Sequence, residues 1–109
     1  MFNGILTSRN VATQPGKQTG YGDLVAWGKE WRLLIEFEMG PRRVANDLRK
    51  AAELNAALWI VVPNGRVRSA VRRQLRRCGV REKYPARCVL TLGQAVSRVT
   101  DSFPFSDVS

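Results

Sequence analysis

The stretch LIEFEMG, residues 34–40, places two carboxylates at alternate positions of an otherwise apolar segment. Side chains two residues apart on a β-strand point to the same face, so Glu36 and Glu38 would stand together. Ile35 and Phe37 would then face the other way. The simplest interpretation is a half-exposed sheet whose solvated face carries the two glutamates. The flanking segments decide between that interpretation and a functional one.

Those flanking segments predict a β-hairpin. YGDLVAW, residues 21–27, is typical of one strand, and WRLLIEFE, residues 31–38, is typical of the returning strand. Gly28-Lys29 or a neighbouring pair would form the tight turn between them. The acidic stretch would therefore lie on the second strand of the hairpin.

The register of this hairpin decides where a third acidic residue lies. With Lys29-Glu30 at the turn, Asp23 pairs directly with Glu36. Either even-length turn places Asp23, Glu36 and Glu38 on one face, whereas a three-residue turn moves Asp23 to the other. Three converging carboxylates repel one another unless a cation neutralises them, and hard oxygen ligands favour Mg²⁺ or Mn²⁺. A metal site is the functional hypothesis for this face.

After the hairpin, helical and strand patterns alternate. Pro41 suits a first helical turn, and the inward side of that helix would run through Val44, Leu48, Ala51 or Ala52, and Asn55. The remaining elements are an apolar strand LWIVVP at 58–63, a basic helix at 66–77, a strand RCVLTL at 87–92 and a short helix from Gln94 to about Val99.

This order predicts an α/β fold with a small mixed sheet (β-hairpin, helix, strand, helix, strand, helix) covered by its crossover helices. The domain would span residues 21–100. Residues 1–20 read as an irregular N-terminal arm, and residues 101–109 read as a C-terminal tail.

Composition restricts the chemistry. The 109 residues contain no histidine, which excludes histidine triads and histidine-bound metals. Cys78 and Cys88 match neither a zinc knuckle nor a disulfide framework, so reduced thiols are expected. No apolar run approaches the roughly 20 residues of a membrane span, and the N-terminus does not resemble a secretion signal. We expect a cytoplasmic protein with no membrane partner.

Positive charge is both high and clustered. The chain has eighteen Lys and Arg residues and nine Asp and Glu residues, which gives a net charge of +9. We therefore expect a polyanionic partner. The helix at 66–77 has no acidic residues at i±4, which a merely solvated face would usually include. Nucleic acid is favoured over a membrane surface or an acidic protein. The arginines of this basic helix are Arg66, Arg68, Arg72, Arg73, Arg76 and Arg77.

Three tryptophans suggest a further contact with nucleic acid. Trp59 lies within an apolar run and is expected in the core. Trp27 and Trp31 flank the hairpin turn, where cross-strand packing is favoured over base stacking.

GDLVAW followed by LLIEFE, then a helix and the apolar strand WIVVP, resembles the PD-(D/E)xK nuclease superfamily over about residues 21–63. The resemblance implies a restriction-endonuclease-like fold in which Asp23 and Glu36 bind Mg²⁺ or Mn²⁺. Glu38 would take the place that the family usually fills with a catalytic lysine. Lys50 on the following helix would reach in as a migrated substitute for that lysine. The family usually has a helix before the hairpin, so this core resembles a trimmed one.

The resemblance also implies phosphodiester hydrolysis, with DNA favoured over RNA. Arg42 and Arg43 would contact the phosphates nearest the site, and the basic helix would hold the strand farther away. The alternative is a non-catalytic nucleic-acid-binding or accessory protein that keeps only the scaffold. A protein-interaction module is a third option, and a homodimer is compatible with any of them.

Overall fold

A computed structural model describes residues 4–7 and 24–102 of the chain. Over these residues the molecule is a five-stranded sheet with three α-helices. The strands are β1 (Gly4–Thr7), β2 (Leu24–Trp27), β3 (Arg32–Phe37), β4 (Ala57–Val62) and β5 (Arg87–Thr91). The helices are α1 (Val44–Leu54), which follows a 3₁₀ turn at Pro41–Arg43, then α2 (Gly65–Arg77) and α3 (Leu92–Ser102).

The α/β class, the mixed sheet and the order of elements from the hairpin onward are confirmed. The strands lie in the order β1-β2-β3-β4-β5; β1, β2 and β3 are antiparallel neighbours, whereas β3, β4 and β5 are parallel. Parallel neighbours need a crossover connection, and α1 and α2 provide the two crossovers. Strand β4 therefore lies inside the sheet between two parallel neighbours, which agrees with its continuous apolar run. The likeness to a restriction-endonuclease-like core stays an expectation.

Strand β1 is an addition to the predicted elements. GILT at Gly4–Thr7 pairs antiparallel with β2, within the segment 1–20 that was predicted to be irregular. Four residues are too few to show a period-two pattern, and here the pairing with β2 defines the strand.

The hairpin register matches one of the two predicted even-length turns. Trp27 pairs with Arg32, and the Gly28 amide donates a hydrogen bond to the Trp31 carbonyl at 2.9 Å. This is the register with Lys29-Glu30 at the turn. Alternation along the chain places Glu36, and Glu38 directly after the end of β3, on the same face, as expected.

Helices α1 and α2 cover one face of the sheet, and α3 packs on the other. Beneath α1 and α2 lies a core of Val25, Leu34, Val44, Ala51, Leu58, Ile60, Val62, Val71, Leu75 and Val89. The opposite core contains Ala26, Leu33, Trp59, Val61, Cys88, Leu90 and Ala95. Trp59 is 2% exposed, so its predicted place in the core is confirmed.

The predicted inward side of α1 is confirmed at Val44 and Ala51, which are buried, and at Leu48, which packs against the same core, but it is wrong at Asn55. The helix ends at Leu54 because Asn55 adopts a left-handed conformation with φ of 52°, and Asn55 is exposed. The fully buried positions of the helix are Val44, Asp47, Lys50 and Ala51. Two of these four residues are charged, so a search for a buried stripe of apolar residues does not find them.

Helix α2 begins as the Pro63-Asn64-Gly65 turn predicts. The Asn64 side-chain oxygen accepts a hydrogen bond from the Val67 amide at 3.0 Å, which caps the helix. After the helix, Gly79 has a φ of +76°, a conformation that favours glycine. The basic helix is therefore bounded by local signals at both ends.

The outer edge of β5 is closed by hydrogen bonds. The amides of Arg87, Val89 and Thr91 alternate along this edge and would otherwise lack a neighbouring strand. Arg87 donates to the Lys83 carbonyl at 2.9 Å. Val89 donates to Oε1 of Glu82 at 2.8 Å, and Thr91 to Oε1 of Gln94 at 3.0 Å.

Candidate functional site

Four charged side chains are buried between β3 and α1. Glu36 is 0% exposed, Asp47 1%, Lys50 7% and Glu38 9%. Charged residues are rarely buried to this extent unless they are paired. The interpretation of Glu36 and Glu38 as a solvated sheet face is therefore wrong. We refer to these four residues as the charged cluster.

Helix geometry brings the two halves of the charged cluster together. Asp47 and Lys50 are three residues apart on α1 and therefore share the face turned toward the sheet. Nζ of Lys50 lies 2.5 Å from Oε1 of Glu36, an ion pair with almost no solvent access. In such an environment the attraction is strong, but both groups have lost their hydration.

Asp47 has a strongly perturbed carboxyl group. Burial, hydrogen bonding with Glu38 and the negative charges of Glu36 and Glu38 together raise the pKa of this carboxyl to about 10. Neither Asp47 oxygen accepts a hydrogen bond from an N–H or O–H group within residues 4–7 and 24–102. A carboxyl with so high a pKa is protonated at neutral pH, and its O–H can then donate to the Glu38 carboxylate.

The structure brings three of the predicted catalytic residues together: Glu36, Glu38 and Lys50. Lys50 does reach Glu36 from the following helix. Asp23, the predicted partner of Glu36, lies outside the described residues. Asp47 was missed in the sequence analysis. The feature that could have identified it is its spacing of three residues from Lys50, which places both residues on one face of the helix.

The donor chemistry of the charged cluster suits a hard divalent cation. Three carboxyl groups offer oxygen ligands of the kind that Mg²⁺ and Mn²⁺ bind. In the described part of the chain, however, no three His, Cys, Asp or Glu side chains are already arranged to hold a metal ion. The Lys50 ammonium pairs with one of these carboxylates. Metal binding at the charged cluster therefore requires its side chains to rearrange.

Arg42 and Arg43 lie in the 3₁₀ turn between β3 and α1, the two elements that carry the charged cluster. Both are exposed. Their position in the chain brings two positive charges to the end of β3 that follows Glu36. They are placed to attract an anion toward this end of the sheet.

The arginines of the basic helix α2 divide into two groups. Arg72 pairs with Glu82 at 2.7 Å, and Arg68 donates a hydrogen bond to Gln94 at 2.8 Å, so these two have structural partners. The acidic partner of Arg72 comes from the loop after the helix, which spacing within the helix could not reveal. Among the described residues the other four form no ion pair, and all are exposed: Arg66, Arg73, Arg76 and Arg77.

Comparison with protein-family models, curated proteins and solved structures gives no match for this chain. None of the helices in the described segments has the length and apolar character needed to cross a membrane.

Proposed function

We propose that the protein hydrolyses phosphodiester bonds of nucleic acid, more readily DNA than RNA, with Mg²⁺ or Mn²⁺ bound at the charged cluster. The observation that carries this proposal is the burial of three carboxyl groups against a single ammonium group. A purely structural core gains little from such a set, because apolar residues of similar size would pack there without a desolvation cost. A cation would offset the excess negative charge. A cytoplasmic location belongs to the same proposal.

The residues have distinct proposed roles. Glu36 and Glu38 would hold the metal, with Asp47 as an additional oxygen ligand and Asp23 as the ligand expected from the family resemblance. A divalent ion bound there would supply Lewis acidity and a more acidic water. Lys50 would exchange its pairing with Glu36 for a contact with the attacking water or the phosphate.

The exposed arginines would hold the substrate. Arg42 and Arg43 would contact phosphates next to the charged cluster, where a guanidinium can bind two oxygens at once. The four exposed arginines of α2 that form no ion pair among the described residues would contact phosphates along the nucleic-acid strand. These contacts would add affinity that does not depend on base sequence. Lys50 and the two arginines together would stabilise charge that develops on the phosphate.

Calorimetric titration of Mg²⁺ and Mn²⁺, followed by plasmid cleavage with each metal and with EDTA, tests this function. The variants are Glu36→Gln and Glu38→Gln, which keep side-chain size and remove one charge. Glu53→Gln is the matched control, because Glu53 lies on the exposed side of α1 and its pair with Arg49 is solvated. Loss of metal binding and cleavage in the first two variants, with both retained in the control, supports the proposal. A wild-type protein that binds neither metal contradicts it.

The Lys50–Glu36 pair favours a second candidate function. It neutralises one carboxylate without any metal, as expected of a nucleic-acid-binding or accessory protein that keeps only a nuclease scaffold. For that function, plasmid binding depends on salt and not on divalent metal. Binding measured with EDTA and with Mg²⁺ at equal ionic strength separates the two functions. Equal affinity together with intact plasmid supports the accessory protein.

A further inference from the structure

A surface pocket of about 340 Å³ lies at the turn of the hairpin, at the opposite end of β3 from the charged cluster. Its volume is within the range of about 300–1,000 Å³ typical of small-molecule sites. Trp27, Lys29, Trp31 and Arg32 line it. Trp27 pairs with Arg32 on the face that α1 covers, whereas Trp31 packs with the core on the opposite face, so only the Trp27 indole shares a face with Arg32. Asn55, in its left-handed conformation, closes the side next to α1.

Trp31 is held in place by the hairpin backbone. A Cβ atom added to Gly28 would lie 2.0 Å from Nε1 of Trp31, so the indole occupies the space beside Gly28 that a side chain would fill. The Gly28 amide also donates to the Trp31 carbonyl. The Trp31 indole is therefore part of the packing of the hairpin on the face away from Trp27, and Trp27 provides the ring on which a ligand at the α1 side can stack.

Arg32 is also held in a fixed position. It donates a hydrogen bond from Nη1 to the Leu54 carbonyl at the end of α1, at 3.0 Å. The guanidinium therefore stays at the pocket while keeping its charge. Lys29 and Arg32 together outweigh Glu30, the acidic residue on the pocket wall, so the pocket favours a ligand that carries negative charge.

We propose that this pocket binds an unpaired base of a single-stranded nucleic acid, with the indole of Trp27 stacking on the base. Lys29 contacts the adjoining phosphate. The inference rests on the proposed function for its choice of ligand, since a planar aromatic ring linked to a phosphate is what a nucleotide offers. A base in a duplex is already stacked and paired, so the pocket selects strands with an unpaired segment.

The pocket and the charged cluster would contact one strand at two separate points. Arg32 and Glu36 are four residues apart on β3, which corresponds to roughly 13 Å along the strand at about 3.3 Å per residue. A nucleotide held at the pocket would therefore not be the one at the charged cluster. The substrate class becomes nucleic acid with a single-stranded end or gap.

The test compares oligothymidylate with an abasic oligonucleotide of equal length, which has the same phosphates and no bases. We expect the wild type to bind oligothymidylate about tenfold more tightly, the effect of one stacked base, and its tryptophan fluorescence to be quenched. Trp27→Leu should reduce the affinity for oligothymidylate to the abasic value, whereas Trp31→Leu, on the opposite face, should keep the preference. Trp27→Phe should retain part of the preference, because it keeps an aromatic ring. Binding is measured with EDTA, so metal-dependent cleavage is scored separately.

Phe37→Leu is the matched control, because it removes a ring that is 40% exposed at the other end of β3, on the face away from Glu36. It should leave the preference for bases unchanged. Equal affinity for the two oligonucleotides would overturn the proposal, even if plasmid cleavage with Mg²⁺ is observed. A tenfold preference that survives Trp27→Leu would overturn it as well. A preference that is lost in Trp27→Leu and kept in Phe37→Leu supports it, even where no cleavage is found.

Discussion

The ammonium group of Lys50 lies 2.5 Å from a carboxylate oxygen of Glu36, in a position that water scarcely reaches. Each residue comes from a different element, Glu36 from β3 and Lys50 from α1. The pair therefore links the strand to the helix, and it keeps an ammonium group beside the oxygens proposed to bind metal. Its two possible roles, structural and catalytic, can be separated by measurement.

Lys50→Met should be strongly destabilising. It leaves the Glu36 carboxylate buried without this cation, and breaking a buried pair in this way costs about 3–5 kcal/mol. The double variant Glu36→Gln/Lys50→Met should be more stable than Lys50→Met alone, because no buried charge remains uncompensated. Urea unfolding measures all three free energies.

The control for the buried pair is Arg49→Met on the same helix. Arg49 and Glu53 are 47% and 42% exposed, so losing their pair should cost only about 0.3–0.5 kcal/mol. A similar cost for Lys50→Met and Arg49→Met would show that the buried pair is not linking α1 to β3.

Asp47 should make the protein less stable as the pH rises. Its carboxyl has a pKa of about 10 in the folded protein and 3.8 as its ordinary value, so between these pH values the unfolded state binds fewer protons than the folded state. The free energy of unfolding must then fall as pH increases through this window. Asp47→Asn cannot ionise, and its unfolding free energy should vary less with pH. Denaturant titrations between about pH 5 and about pH 9, the middle of that window, provide the comparison.

Glu53→Gln is the matched control for the pH dependence, since it removes a carboxyl from the exposed side of the same helix. It should retain the wild-type decrease. A wild-type slope that persists in Asp47→Asn would assign the effect to another group.

Removing arginines from α2 should weaken nucleic-acid binding in a salt-dependent way. For Arg73→Gln/Arg76→Gln we expect the slope of log affinity against log salt to become shallower by about 0.9 for each lost phosphate contact. Fluorescence anisotropy with a labelled duplex measures this slope. Neither residue has a structural ion pair among the residues that the structure describes, so stability should change little.

Arg98→Gln is the corresponding control on α3, across the sheet from α2. It removes one positive charge, half of the charge removed from α2, and it also removes a contact with the ring of Tyr84. A change of slope half as large as that of the α2 variant would mean that net charge, and not the surface of α2, governs binding.

Glu82 should contribute to stability through both of its oxygens. Oε1 accepts from the Val89 amide and Oε2 pairs with Arg72. Glu82→Ala leaves the amide without this acceptor and should cost about 1–3 kcal/mol. Glu82→Gln keeps an oxygen acceptor and loses only a partly exposed ion pair, so its cost should be below about 1 kcal/mol. Urea unfolding of both variants decides this, and equal costs would mean that the hydrogen bond to Val89 contributes nothing.

Glu82→Ala should also affect association. With the Val89 amide freed, β5 offers an edge to which another strand can pair, so sedimentation should show more association than in the wild type. A homodimer of the wild type would have to use another surface. Dimerisation that is lost in Glu82→Ala would contradict this view of the edge.

Sequence patterns sufficed for the architecture because each element carries a strong local signal. The apolar run at 58–63 and the turn at Pro63-Asn64-Gly65 mark β4 and the start of α2 without reference to the rest of the chain. Strand β1 lacked such a signal, since its identity as a strand comes from pairing with β2. Tertiary pairing can define a strand that the local pattern does not.

The candidate site was only partly predictable for a related reason. Alternation along the strand indicated that Glu36 and Glu38 share a face, and the structure agrees. It could not show that α1 covers that face, which turned a solvated set of charges into a buried one. Asp47 was overlooked because a buried acidic residue on a helix departs from the usual apolar stripe. Likewise, the pairing of Arg72 with Glu82 depends on how the loop after α2 folds back.

The charged cluster lies entirely within the contiguous segment from Glu36 to Lys50. Bringing its members together closes only a short loop, which costs little chain entropy compared with pairing distant strands. These contacts are thus available early in folding, before β5 must find β4. The charged cluster is thus one strand–turn–helix unit, so an insertion or deletion outside residues 36–50 leaves the spacing of its four residues unchanged.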